Sequence, residues 1–141
     1  MKYSLTALAM AAGLTAPSLA QGVDPSSATV ETGDAYRFIS VFEAAEGAPS
    51  AEALQAGYLD PGSNAVEIFT PNRIQNADNL AARIAANPGL YRRAIDVCLP
   101  IAETMTPELR TIYANMHALL PDQELPEIHV LFGAGNSGGT A

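Results

Sequence analysis

Apolar positions recur at helical spacing along most of this chain, and they mark out its predicted elements. Tyr36, Phe38, Ile39, Val41 and Phe42 form the first set, with Asp34 placed to cap the helix they predict. Gly47-Ala48-Pro49 ends that helix, and Ser50 caps a second, short one from Ala51 to about Tyr58. Asp60-Pro61-Gly62-Ser63-Asn64 is a turn by composition. Ala65 to Thr70 fits two patterns, the alternation of a short strand and the start of a helix, with Pro71 interrupting either. Ile74, Ala77, Leu80, Ala81 and Ile84 return to helical spacing and predict a helix from Arg73 to Ala86, closed by Asn87-Pro88-Gly89.

Leu90, Tyr91, Ala94, Ile95, Cys98, Ile101 and Ala102 predict a further helical run from Leu90 to Glu103. Pro100 lies inside it and should kink or split it, because its ring clashes with the preceding turn. Thr106-Pro107-Glu108 starts the next helix, with Thr106 as cap and proline where no hydrogen bond is lost. Leu109, Ile112, Tyr113, Met116 and Leu119 or Leu120 make one apolar face, and Pro121-Asp122 stops it.

Glu127 to Phe132 is the clearest strand. It alternates and then becomes continuously apolar, as a strand buried on both faces does. A lone strand leaves a row of unpaired backbone groups, and Val66 to Phe69 is the only other candidate strand. Two arrangements satisfy this: a partner sheet lying beyond Ala141, or a short edge strand packed on helices. The expected fold class is mainly α, a helical, bundle-like subdomain with one C-terminal strand and room for a second short one.

The ends of the chain read differently. Met1-Lys2, an apolar run from Leu5 to Ala16, Pro17 and Ser18-Leu19-Ala20 follow the layout of a secretory signal peptide cleaved after Ala20. The run is too short for a membrane span. The expected location is therefore periplasmic or extracellular, with no membrane span after cleavage. Gln21 to Gly33 is small and polar, a flexible lead-in, and residues 34–141 form the helical domain with its strand and Gly-rich end. Cys98 is the only cysteine, so no intrachain disulfide forms; its spacing with Tyr91, Ala94, Ile95 and Ile101 predicts a buried, inert thiol.

Charge narrows the function classes. The 141 residues carry 7 basic against 15 acidic side chains, a net −8. Nucleic-acid binding needs clustered Lys and Arg, so that class is set aside, as is an anionic membrane surface. Gly133-Ala134-Gly135-Asn136-Ser137-Gly138 matches G-x-G-x-x-G by letter. It has neither the following helix nor the acidic residue about 20 positions on that a dinucleotide site needs. His117 and His129 stand outside any metal-binding spacing, so the metal assignment in this chain is none. The carboxylates are scattered as a solvated surface, and Arg92-Arg93 is a basic pair suited to salt bridges.

Gly57-Tyr58-Leu59, Gly62, Phe69, Arg73-Ile74, Asn87 to Tyr91, Leu119-Leu120-Pro121, Leu125-Pro126, Val130 to Gly133 and Asn136 to Thr140 follow one another in a familiar order. The chain from about Phe42 onward resembles the N-terminal half of a bacterial family described as zinc-dependent proteases. The resemblance implies an incomplete α+β metallopeptidase-like domain, an exported hydrolase fragment whose H-E-x-x-H helix would lie downstream. Zinc is implied only for a longer family member, where it would lower the pKa of a bound water to about 7. No cofactor and no catalytic residue carries over to this chain. The resemblance makes Asn136, Ser137, Gly138, Gly139 and Thr140 candidates for a substrate cleft, with a peptide or protein as partner; a plain Gly-rich turn is the other reading of them. The alternative function is a non-catalytic exported helical module that binds a protein or peptide at an open strand edge.

Overall fold

The computed structural model describes residues 22–136, so the signal-peptide segment and Ser137 to Thr140 lie outside the described residues. The chain is mainly helical, with one short two-stranded sheet. Strand β1 (Val30–Glu31) precedes seven helices, and β2 (Ile128–His129) follows them. The strands pair in parallel, Val30 opposite Ile128 and Glu31 opposite His129, so the helices form the crossover between them.

Helix α1 (Gly33–Ala44) carries the centre of the core. Phe38 is fully buried, with Phe132 stacked on it at 4.3 Å between ring centroids and Tyr58 edge-on at 5.4 Å. Phe42 and Tyr91 complete the ring cluster. The helix ends where Glu46 and Gly47 take positive φ, and the Gly47 N–H returns to the Phe42 carbonyl at 2.8 Å. Asp34 does not cap α1. It lies within the first turn, and its buried carboxylate reaches across to Ser63, accepting from the Ser63 N–H at 3.1 Å and from its hydroxyl, and also pairs with Arg37. The carboxylate is taken up by Ser63 and Arg37, and Thr32 holds the cap position without a side-chain bond, so the capping expectation fails here.

Ser50 caps α2 (Ala51–Leu54) as expected, accepting from the Ala53 N–H at 3.1 Å. A π turn (Gln55–Leu59) continues that helix. Ser63 caps α3 (Asn64–Phe69), which settles Val66 to Phe69 as helix and not strand. A second π turn (Thr70–Ile74) carries the chain past Pro71. Gln75 then breaks the helix at φ 71°, and Asn76 caps α4 (Ala77–Ala86). The expected Arg73-to-Ala86 helix is therefore two pieces.

The run from Leu90 to Glu103 is split by a π turn just before Pro100. Helix α5 (Pro88–Arg93) runs into a third π turn (Ala94–Cys98) and then α6 (Leu99–Glu103). The Leu99 N–H bonds to the Ala94 carbonyl, five residues back. One inserted residue rotates everything after it by about 100°. Leu99 turns inward and is buried, whereas Cys98 and Ile101 are exposed. The expected buried thiol is thus corrected to an exposed one.

Helix α7 (Thr106–Leu119) follows, but Thr106 is its first residue and not its cap. The Thr106 hydroxyl instead accepts from the Val30 N–H at 3.2 Å, closing the outer edge of β1. The stretch read as a lead-in supplies β1 and the buried Ala28, so the second strand lies before the helices. Strand β2 is shorter than the sequence pattern promised and half-buried, not buried on both faces. Among the described residues, no helix is long and apolar enough to cross a membrane.

Candidate functional site

The segment from Pro126 to Asn136 leads to the residues proposed for a substrate cleft, and three tyrosines hold it. Tyr113 on α7 donates its hydroxyl to the Pro126 carbonyl. Tyr58 donates to the Phe132 carbonyl at 2.7 Å and accepts from the Phe132 N–H at 3.1 Å. Tyr91 donates to the Gly133 carbonyl at 3.0 Å. Every one of these bonds goes to backbone, so the tyrosines fix the path of the segment whatever its side chains are. Burial pushes the Tyr58, Tyr91 and Tyr113 phenols above their ordinary pKa, which keeps them protonated and able to donate.

Gly133 is required by packing. A Cβ there would sit 2.6 Å from the Phe69 ring. Phe132 on one side and Ala134 on the other are buried, so the chain runs inside the fold until Gly135, where φ is 72°, and then emerges. Asn136 is exposed at a bend. Of the five candidate cleft residues it alone is described; Ser137, Gly138, Gly139 and Thr140 lie outside the described residues.

One edge of this segment is open. In a parallel ladder alternate residues turn their backbone groups to alternate sides. The Val130 N–H bonds to the Glu31 carbonyl at 2.8 Å, so His129 and Leu131 turn theirs away from β1. Among the described residues no strand pairs with that outer side.

The other chemical groups are engaged locally. His129 lies 3.1 Å from a Glu127 oxygen on the same strand segment, and His117 sits on α7. Among the described residues no group of three or more His, Cys, Asp and Glu could hold a metal ion, so these residues do not fit a zinc site. A cleft of about 360 Å³ lies between the residues before β1 and those before β2, with Asp24, Glu31, Tyr113 and Glu127 in its walls. Its acids already have partners: Ser26 for Asp24, Thr29 for Glu31 and His129 for Glu127. The Ser26 hydroxyl and N–H hold the Asp24 carboxyl below its ordinary range. On the far side, Arg92 lies over the Phe42 ring at 5.1 Å and pairs with Glu43, whose carboxyl it holds low. That is the salt-bridge role expected of the pair, filled by Arg92; among the described residues no salt bridge includes Arg93.

Sequence reasoning placed Tyr58 and Tyr91 only as apolar or motif positions. The signal for their role is general: a tyrosine in an apolar stripe has a hydroxyl that needs a partner once buried. No family model, curated protein or solved structure matches the chain.

Proposed function

We propose that these residues are the helical portion of an exported zinc-dependent peptidase-like protein, whose metal ligands and general base belong to another part of that protein. The observation that carries this reading is the tyrosine-held segment. Three hydroxyls and a close-packed glycine bring an extended chain through the core and release it at Asn136, with one backbone edge unpaired among the described residues. Such an edge is what one wall of a peptide cleft requires, because an extended substrate is bound by main-chain hydrogen bonds. On this reading the helices supply a rigid frame, and Asn136 with the small residues after it lines the cleft by close backbone approach. No hydrolytic step is assigned to any residue of this chain.

The test uses the natural product isolated from its source. A chain starting at Gln21, heavier than the 14.7 kDa of these residues, carrying one zinc and losing peptide hydrolysis to a chelator is the expected result. A product ending at Ala141 that binds no zinc overturns the proposal. The open edge beside His129 and Leu131 favours a second reading in that event, a non-catalytic module that captures an extended peptide. Its mark is amide-resonance shifts at His129 and Leu131 when extended peptides are titrated in, with α4 unaffected.

A further inference from the structure

One arginine beside the C-terminal segment lacks the partner its surroundings ask for. Arg73 lies in the π turn after α3, four residues on from Phe69, and so stands one turn further along the same side. The Phe69 ring abuts Gly133. Arg73 is half-buried, and its Nε is fully covered with no acceptor in reach, alone in this among the side-chain atoms of the described residues. Two positions on, Gln75 takes φ 71° without being glycine, a strain of the kind found where chains clamp ligands.

Carboxylates are not scarce. The chain has 15 Asp and Glu, all between Asp24 and Glu127 and so all described, yet none forms a salt bridge with Arg73. Arg37 and Arg92 have carboxylate partners, and Arg110 donates to a backbone carbonyl. Arg83, exposed on α4, also has no carboxylate partner. Burial raises the Tyr91 phenol and the Arg83 charge opposes that rise, so Arg83 lies toward Tyr91, whose hydroxyl holds the Gly133 carbonyl. Two unpaired positive charges thus fall near Gly133 in a chain of net −8.

We infer that Arg73 receives the C-terminal carboxylate of an extended peptide laid along the outer edge of β2. The inference rests on the peptide-cleft reading of that edge. His129 and Leu131 turn their backbone groups outward. Gly133 is next in the alternation, and Tyr91 already takes its carbonyl. A peptide running parallel to β2 therefore pairs at His129 and Leu131, and its last residue falls where the open edge stops. A carboxylate fits there by shape and by charge. The guanidinium is a planar fork that matches both carboxylate oxygens, and burial of Nε fixes the stem before the ligand arrives. Elsewhere the excess of acidic side chains repels such a group, so the arginines also select where the peptide end lands.

Calorimetric titration of the full chain with a short acetylated peptide of alternating Thr and Val, as free acid and as C-terminal amide, tests this. The acid should bind about tenfold tighter or more, with the His129 and Leu131 amide resonances responding to both forms. Arg73→Gln should remove the preference and leave the amide's affinity unchanged, and Arg73→Lys should restore part of it by charge alone. Arg83→Gln, at an exposed position that does not threaten the fold, should reduce the preference too. Equal loss of acid and amide binding in Arg73→Gln makes Arg73 a purely structural residue and overturns the inference. So does equal binding of the two forms by the unaltered chain while His129 and Leu131 respond, a result that leaves the open edge as a peptide site. Silence of both resonances with either form overturns the edge reading as well. An amidated peptide ending in Glu that matches the free acid overturns the terminal assignment. None of these readouts needs zinc or hydrolysis.

Discussion

Tyr58 is the residue on which the C-terminal segment depends most. Its one hydroxyl serves both backbone groups of Phe132, and ionising it would remove a donor and place a charge in the core. Its phenol is held above the ordinary 10.0 chiefly by burial, with Asp34 and Tyr91 adding in the same direction; Tyr91 and Tyr113 are raised by burial too. The unfolded chain therefore loses these protons first. Stability contributed by the neutral phenols is fully present below about pH 10, the unfolded value, and falls as pH rises toward the folded ones. The urea midpoint should stay level to about pH 9 and decline steeply above pH 10, with phenolate absorbance appearing together with unfolding. Tyr58→Phe should lower the midpoint at pH 7, by about 2 kcal/mol for the two backbone groups left unpaired, and make the alkaline slope shallower. Phenolate absorbance from all the tyrosines well before any loss of helix would contradict this.

At the scale of elements, the glycines of α5 and of the segment after β2 respond oppositely to a methyl group. Gly133→Ala drives a Cβ to 2.6 Å from the Phe69 ring, and overpacking of that kind costs about 1–3 kcal/mol. Gly89 lies in α5 with open space where its Cβ would be. Gly89→Ala should therefore stabilise by about 0.5–1 kcal/mol through lost chain entropy in the unfolded state. Paired urea titrations of the two variants check the opposite signs. The same elements show what a linear pattern can and cannot carry. Most helices were legible, because their apolar spacing and the caps at Ser50 and the turn at Asp60 to Asn64 are local signals. The face of Cys98 was not, because the π turn before Pro100 adds one residue and turns Leu99 inward in its place. Strand β1 was not legible either, since two residues in a polar stretch become a strand only by meeting Ile128 and His129 from the far end of the chain. In the candidate site, Asn136 and the open strand edge were readable as possibilities, whereas the three hydroxyl bonds that hold the segment are long-range and leave no spacing to read.

At the scale of the whole molecule, the described residues are built on two unequal apolar clusters. The larger joins α1 to α4, Tyr91, Leu99 and Phe132, with Phe38 at its centre. The smaller holds only Ala28, Tyr113 and Leu125, with Val23, Leu109 and Ile128 against them. Helix α7 is tied to the rest through this small cluster and through three polar links: Tyr113 to Pro126, Arg110 Nε to the Ala28 carbonyl at 2.8 Å, and Thr106 to Val30. A unit with so little buried apolar surface opens more readily than the body, so its local free energy lies well below the global one. Hydrogen exchange at low protein concentration should show α1, α2 and α4 protected longest and α7 exchanging earlier. Tyr113→Phe should speed exchange in α7 and in the residues around Ala28 while leaving α1 unchanged. Equal protection of α7 and α1 in dilute solution would show the two clusters to be one cooperative unit.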